Sequence, residues 1–143
     1  MRKQESGFTL IELIAVLVIL GILAATAVPK FINLSDEAQI AATENIAGSL
    51  ESASALNHAV DIANEAGLSD DTFTEIENCT DAWSLLQGGA IGDPYSIGAV
   101  AATDKTTVTC TLTNDDAVAP DNTATFAMIG ACAGTAAAGS ACP

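Results

Sequence analysis

Positive charge is the scarcest thing in this chain. Four Lys and Arg stand against 18 Asp and Glu, a net charge of −14. Residues 1–7 hold Arg2, Lys3 and Glu5, so residues 8–143 carry 2 − 17 = −15, with Lys30 and Lys105 their only cations. Phosphate contacts need Lys and Arg, so this balance argues against nucleic acid as a partner. It suits a solvated, mutually repelling surface. Histidine is nearly absent too. His58 has no second histidine with which to share a metal and reads as solvated. No Cys-x-x-Cys is present, which weakens zinc. A Gly-rich phosphate loop and a Gly-x-Ser-x-Gly elbow are both missing, so no catalytic, cofactor or metal residue is assigned. Aromatics, at 4%, are too few to build a stacked path. Asp115-Asp116 with Asp121 has the chemistry of a calcium loop, with a solvated acidic turn as the simpler reading. Asn33-Leu34-Ser35 and Asn78-Cys79-Thr80 fit the weak glycosylation pattern.

What is abundant is apolar and sits near the start. Phe8 to Val28 is a run of 21 residues broken only by Thr9, Glu12, Gly21 and Thr26. As a helix it spans roughly 31 Å, the thickness of a bilayer's hydrocarbon core. Arg2 and Lys3 before it favour the cytoplasmic side, which places the remainder outside. Glu12 is the one acid inside. A carboxylate at a bilayer's centre costs about 2.5–3.5 kcal/mol on insertion scales, so it needs a partner.

Gly7-Phe8-Thr9-Leu10-Ile11-Glu12-Leu13-Ile14 resembles the leader junction of type IV prepilins and of the pseudopilins of type II secretion. Gly21 and Pro29-Lys30-Phe31-Ile32-Asn33 extend the resemblance, nearest in look to mannose-sensitive haemagglutinin-type pilins. It is specific over roughly forty residues and weak beyond. It implies a peptidase that cuts between Gly7 and Phe8 and methylates the new amine of Phe8. It also implies that Glu12 offsets the N-terminal amine of a neighbouring subunit during assembly. The residues agree independently. Glu12 lies one helical turn from Phe8 and near a helix N-terminus, where an anion is favoured. Two competing readings are a plain membrane anchor with a stray acid, and an export signal cleaved at Ala25-Thr26-Ala27. Glu12 is poorly placed in an export signal's apolar core.

Residues 8 to about 66 read as one long helix with a fault between Gly21 and Pro29. The resemblance implies a non-helical segment there within a filament. Ser35-Asp36-Glu37 also looks like a helix start, so a break at 29–34 competes. Beyond it Leu34, Ala38, Ala42, Ile46, Leu50, Ala53, Leu56, Val60 and Ala63 form an apolar stripe. Asp36, Glu37, Glu44, Glu51, Asp61 and Glu65 lie opposite. Ile40 and Ile62 fall off the stripe as candidate contacts between subunits. Gly67 suits a C-terminal cap. In the connecting region, Ser69-Asp70-Asp71 caps a short helix over 72–77, Asp81–Leu86 adds another turn, and Trp83, Leu85 and Leu86 pin the loop to the core. Strands are expected over 95–101, 106–113 and 124–129. The expected fold class is α+β: a long N-terminal helix on a small antiparallel sheet, pilin-like. Its divisions are a leader at 1–7, a transmembrane or filament-core helix at 8–29 and a head at 30–143.

Cys79, Cys110, Cys132 and Cys142 are an even set in the exported part, which points to two bridges. Cys110 and Cys132 are equidistant from Asp121, so a hairpin turning there sets them opposite. Cys79 and Cys142 would then tie down the Ala/Gly-rich tail. The alternative is Cys79–Cys110 with Cys132–Cys142, like the disulfide-bounded region of many pilins.

These readings converge on a structural subunit of a type IV pilus-like filament for adhesion or motility. It would sit in the bacterial inner membrane before assembly and in an extracellular filament after it. Its partners would be other pilin subunits and the prepilin peptidase. The alternatives are a type II secretion pseudopilin and a secreted binding or enzymatic domain.

Overall fold

The computed structural model describes residues 7–89 and 91–132, with the side chains of 28–33 left out. The leader residues 1–6 and the Ala/Gly tail with Cys142 lie outside the described residues, as do the side chains of Pro29, Lys30 and Asn33. The elements run in order as helix α1 (Leu10–Glu65), a 3-10 helix (Cys79–Leu85), and strands β1 (Tyr95–Ile97), β2 (Thr107–Asn114) and β3 (Thr123–Ile129). Two compact units divide the chain, Met1–Glu37 and Ala38–Pro143.

α1 is helical through Gly21 and through Pro29, without the break and restart at Ser35 that the sequence allows. A Cβ built on Gly21 meets nothing within 4 Å. Packing inside the chain therefore does not demand glycine there, and its entropic weakness is left as a local soft point. The C-terminal end follows the sequence closely. Gly67 takes φ +68, its N–H donates to Asn64 O (2.9 Å), and Leu68 N–H donates to Ala63 O (2.9 Å). These are the two bonds of a Schellman cap, which satisfy carbonyls the helix leaves open.

Within the second unit α1 packs on a three-stranded antiparallel sheet of order β1-β2-β3. The buried stripe is turned from the expected one. Thr43, Ala47, Leu50, Ser54 and Asp61 are buried, while Leu34 and Leu56 are exposed. The cause is polar pairing that an apolar count does not register. Thr43 Oγ1 donates to Gln39 O (2.8 Å) and accepts from Asn114 Nδ2 (3.4 Å). β3 lies at one edge of the sheet, so its outward N–H groups need acceptors. α1 supplies them: Ile129 N–H donates to Ser54 Oγ (2.9 Å) and Ala127 N–H to Glu51 Oε2 (3.0 Å). Leu50, Leu112, Met128, Phe126, Ile76 and the Cys79–Cys110 pair fill the core, with Trp83, Leu85 and Leu86 packed against it as the sequence indicates.

The connecting region departs from expectation over 72–77, which is irregular apart from a bridge at Ile76 and is not helical. Asn57 clamps Thr74 in both directions at 2.8 Å, and Ile76 N–H donates to Ala131 O (2.8 Å), so tertiary partners outbid the local cap. The turn at Asp81–Leu86 is present as the 3-10 helix, started by a capping box between Asn78 and Asp81.

Cys79 is bonded to Cys110, with Cα atoms 5.6 Å apart. That overturns both expected pairings, Cys110–Cys132 and Cys79–Cys142. The register explains the error. Cys110 faces Phe126 and Thr113 faces Thr123, so the hairpin turns about Val118 and not Asp121. Asn114, buried, holds this turn: its N–H donates to Asn122 O (2.8 Å) and its Oδ1 accepts from Asp116 N–H (3.1 Å). Cys132 therefore runs past Cys110 to Asp104, whose Oδ1 accepts its N–H (3.2 Å). Cys132 is itself disulfide-bonded.

Candidate functional site

The site is the start of α1. Leu10–Ala27 is an 18-residue span long and apolar enough to cross a membrane, and none of it is buried inside the chain. Large side chains project on all sides: Leu10, Ile11, Leu13, Val16, Leu17, Leu20 and Leu23 are each more than half exposed. A helix apolar all round belongs in lipid or among other helices. Thr26, the polar residue nearest the far end, folds its hydroxyl onto its own backbone, Oγ1 donating to Leu23 O (3.0 Å). That removes an unpaired donor from an apolar setting.

Gly7 and Phe8 precede the helix in an irregular, exposed segment, with Phe8 90% exposed. The Gly7–Phe8 bond is thus accessible and not locked in a helix. Thr9 is the N-cap. Its N–H donates to Glu12 Oε2 (2.8 Å), its Oγ1 donates to the same oxygen (2.6 Å), and Glu12 N–H reaches Thr9 Oγ1 (3.4 Å). This is a capping box, in which two open donors of the helix start are met reciprocally. Thr9's part went unread in the sequence, although Thr9-Leu10-Ile11-Glu12 has the Ser/Thr-x-x-Glu spacing before an apolar run. Glu12 is thereby held by its own chain.

The other assigned residues scatter. Asp115, Asp116 and Asp121 are exposed, and among the described residues no three His, Cys, Asp or Glu side chains are grouped to hold a metal. Asn78 spends its side chain on the 3-10 cap, accepting Thr80 N–H (3.2 Å). His58 is half-buried, with Nδ1 3.8 Å from Asp61 Oδ2. Ile62 is exposed.

A signature described as the prokaryotic N-terminal methylation motif matches residues 2–28. The chain is 49% identical over 53 residues to the type IV narrow pilus major component PilA5 of Thermus thermophilus, covering 37% of this chain and 46% of that protein. It is 56% identical over 39 residues to the type II secretion system core protein G of Pseudomonas aeruginosa, 27% of this chain and 28% of that one. Against the type IV major fimbrial protein FimA of Dichelobacter nodosus it is 40% identical over 53 residues, 37% of this chain and 34% of that one. The matched stretches span less than half of each of these relatives. No solved structure matches. The methylation motif lies on an exposed apolar helical span, and over that N-terminal stretch the chain is similar to type IV pilins and to a type II secretion core protein.

Proposed function

We propose that the protein is a structural subunit, not an enzyme, of a type IV pilus-like surface filament. The observation that carries this is the methylation motif over residues 2–28 placed on the apolar span Leu10–Ala27, none of whose residues is buried within the chain. Such a surface needs a bilayer before assembly and sister helices after it. In this reading residues 1–7 are the leader, 8–29 the membrane and filament-core helix, and 30–143 the head. The leader's positive charge holds the subunit in the inner membrane with its head outside. The prepilin peptidase cuts after Gly7 and methylates Phe8. Glu12 exchanges its Thr9 bonds for the amine of a neighbour, and Gly21 and Pro29 mark where α1 loosens as helices crowd together. The acidic head keeps the filament solvated.

A second reading, a pseudopilin of a secretion machine, is favoured by the likeness to the type II secretion core protein G. Both readings share the same processing. Intact mass of the mature protein tests it. A chain beginning at Phe8 with one added methyl is expected, and a chain beginning at Val28 would overturn it. Electron microscopy of sheared cell-surface filaments, with mass identification of the subunit, separates pilus from secretion machine.

A further inference from the structure

One cluster of titratable groups lies far from the helix start and plays no part in the filament reading. Asp61 on α1 and Asp104 in the turn before β2 are each 1% exposed. Asp61 Oδ2 has no hydrogen-bond donor, and Asp104 Oδ2 has no partner nearer than the Lys105 ammonium. The charges facing them are few. From α1 come His58, with Nδ1 3.8 Å from Asp61 Oδ2, and Glu65; from the turn comes Lys105. Lys105 Nζ is 2.6 Å from Glu65 Oε1 and 3.4 Å from Asp104 Oδ2. Cys132 contributes only its backbone N–H, 3.2 Å from Asp104 Oδ1. One ammonium thus contacts two carboxylates, Glu65 and Asp104, while the third, Asp61, is buried without one.

A buried carboxylate is costly unless it is paired or neutral. Asp104 has an ammonium and a backbone donor. Asp61 has neither, and so is where a proton relieves the cluster. We propose that Asp61 and Asp104 form a proton-dependent latch: a proton on Asp61 holds the end of α1 against the Asp104–Lys105 turn and the Cys132 segment, and its loss loosens that junction. The electrostatics agree. Burial first, then the Glu65 and Asp104 charges, raise the Asp61 carboxyl above its ordinary value, against smaller opposing effects of His58 and Lys105. The hydrogen bond to Glu65 raises Lys105, which keeps its proton throughout the neutral range.

The turn is built so that it transmits this. Lys105 stands at φ +55, its N–H donates to Gly130 O (2.9 Å), and Gly130 N–H donates to Thr106 O (3.0 Å). A Cβ on Gly130 would overlap the Thr103 carbonyl, so turn and strand end are in direct contact. Because the folded state holds the Asp61 proton more tightly than the unfolded chain, stability falls as pH rises from the ordinary value through the raised one, and is flat above it.

The test uses the full chain in detergent micelles. Melting midpoints are compared across pH for the native chain, Asp61→Asn, and Glu44→Gln as an exposed control on the same helix. The Asp61→Asn advantage should be absent at pH values below 3.8, the ordinary carboxyl value, and widen as pH rises. Glu44→Gln should track the native chain. Carbon-13 titration of the native chain's Asp carboxyls should show Asp61 with a midpoint above the ordinary value. An Asp61 midpoint at or below it overturns the latch, as does an Asp61→Asn effect that is constant with pH. If Asp61→Asn does not fold, the native titration alone decides.

Discussion

Ser54 offers the sharpest test of how the helix holds the sheet. Its hydroxyl is 1% exposed and accepts the Ile129 N–H at 2.9 Å. Ser54→Ala removes that acceptor and leaves an edge-strand N–H facing a helix and not water, a loss of about 1–3 kcal/mol. Alanine is the better helix former by at most about 0.5 kcal/mol, so the net cost should be about 0.5–2.5 kcal/mol. Glu51 makes a bond of nearly the same length, 3.0 Å, to Ala127 N–H, but in the open. Water replaces it, so Glu51→Ala should stay within about 0.5 kcal/mol of the native chain. Distance alone would rank the two alike; burial separates them. Trp83, the only tryptophan, packs against the head's core, so its fluorescence reports head unfolding in urea even with α1 held in micelles. Midpoints shifted at constant slope give the free energies. A Glu51→Ala cost larger than that of Ser54→Ala would refute the argument, and so would a Ser54→Ala cost indistinguishable from zero.

The Cys79–Cys110 bridge closes a separation of 31 residues, which by loop entropy is worth about 3.5–4 kcal/mol; replacing both cysteines with serine should cost about that much in the same urea assay. Peptide mapping without reductant should release Cys79–Cys110 joined, with Cys132 joined to Cys142; a Cys110–Cys132 peptide would contradict the register of β2 and β3. Glu12→Ala should enter the membrane more easily, by up to about 2.5–3.5 kcal/mol, yet yield few filaments. Thr9→Val should cost the helix start about 0.5–2 kcal/mol while filaments still form, because it spares the carboxylate proposed to meet the neighbour. Normal filament yield from Glu12→Ala would remove its assembly role.

What could be read in the sequence was what neighbouring residues decide among themselves. The apolar run, the Gly67 cap, β2 and β3, and the loop pinned by Trp83 are local patterns, and the structure keeps them. The failures are choices made across the fold. Thr43 and Ser54 look like interruptions of an apolar stripe until Asn114 and the open edge of β3 give their hydroxyls work. Asp61 reads as a surface acid because nothing nearby in sequence announces Asp104. Cys110 and Cys132 are equidistant from Asp121, but buried Asn114 fixes the pivot at Val118, so that symmetry does not pair them. At the helix start the motif was legible, but Thr9's share in it was not. The same carboxylate has the simpler role of a cap.

In the proposed filament, the Thr9–Glu12 box bears on how a subunit waits and joins. A carboxylate already satisfied at home does not drive its chain into the first contact on offer. If Glu12 meets a neighbour's amine as proposed, recruitment becomes a swap of partners, the hydroxyl and amide of Thr9 given up for that amine, so only the difference between two bonded arrangements favours joining. A swap of that kind discriminates between neighbours one turn out of step, since a misaligned amine returns nothing for what is released. It would also run backwards at little cost, and a departing subunit would regain its own cap as it left.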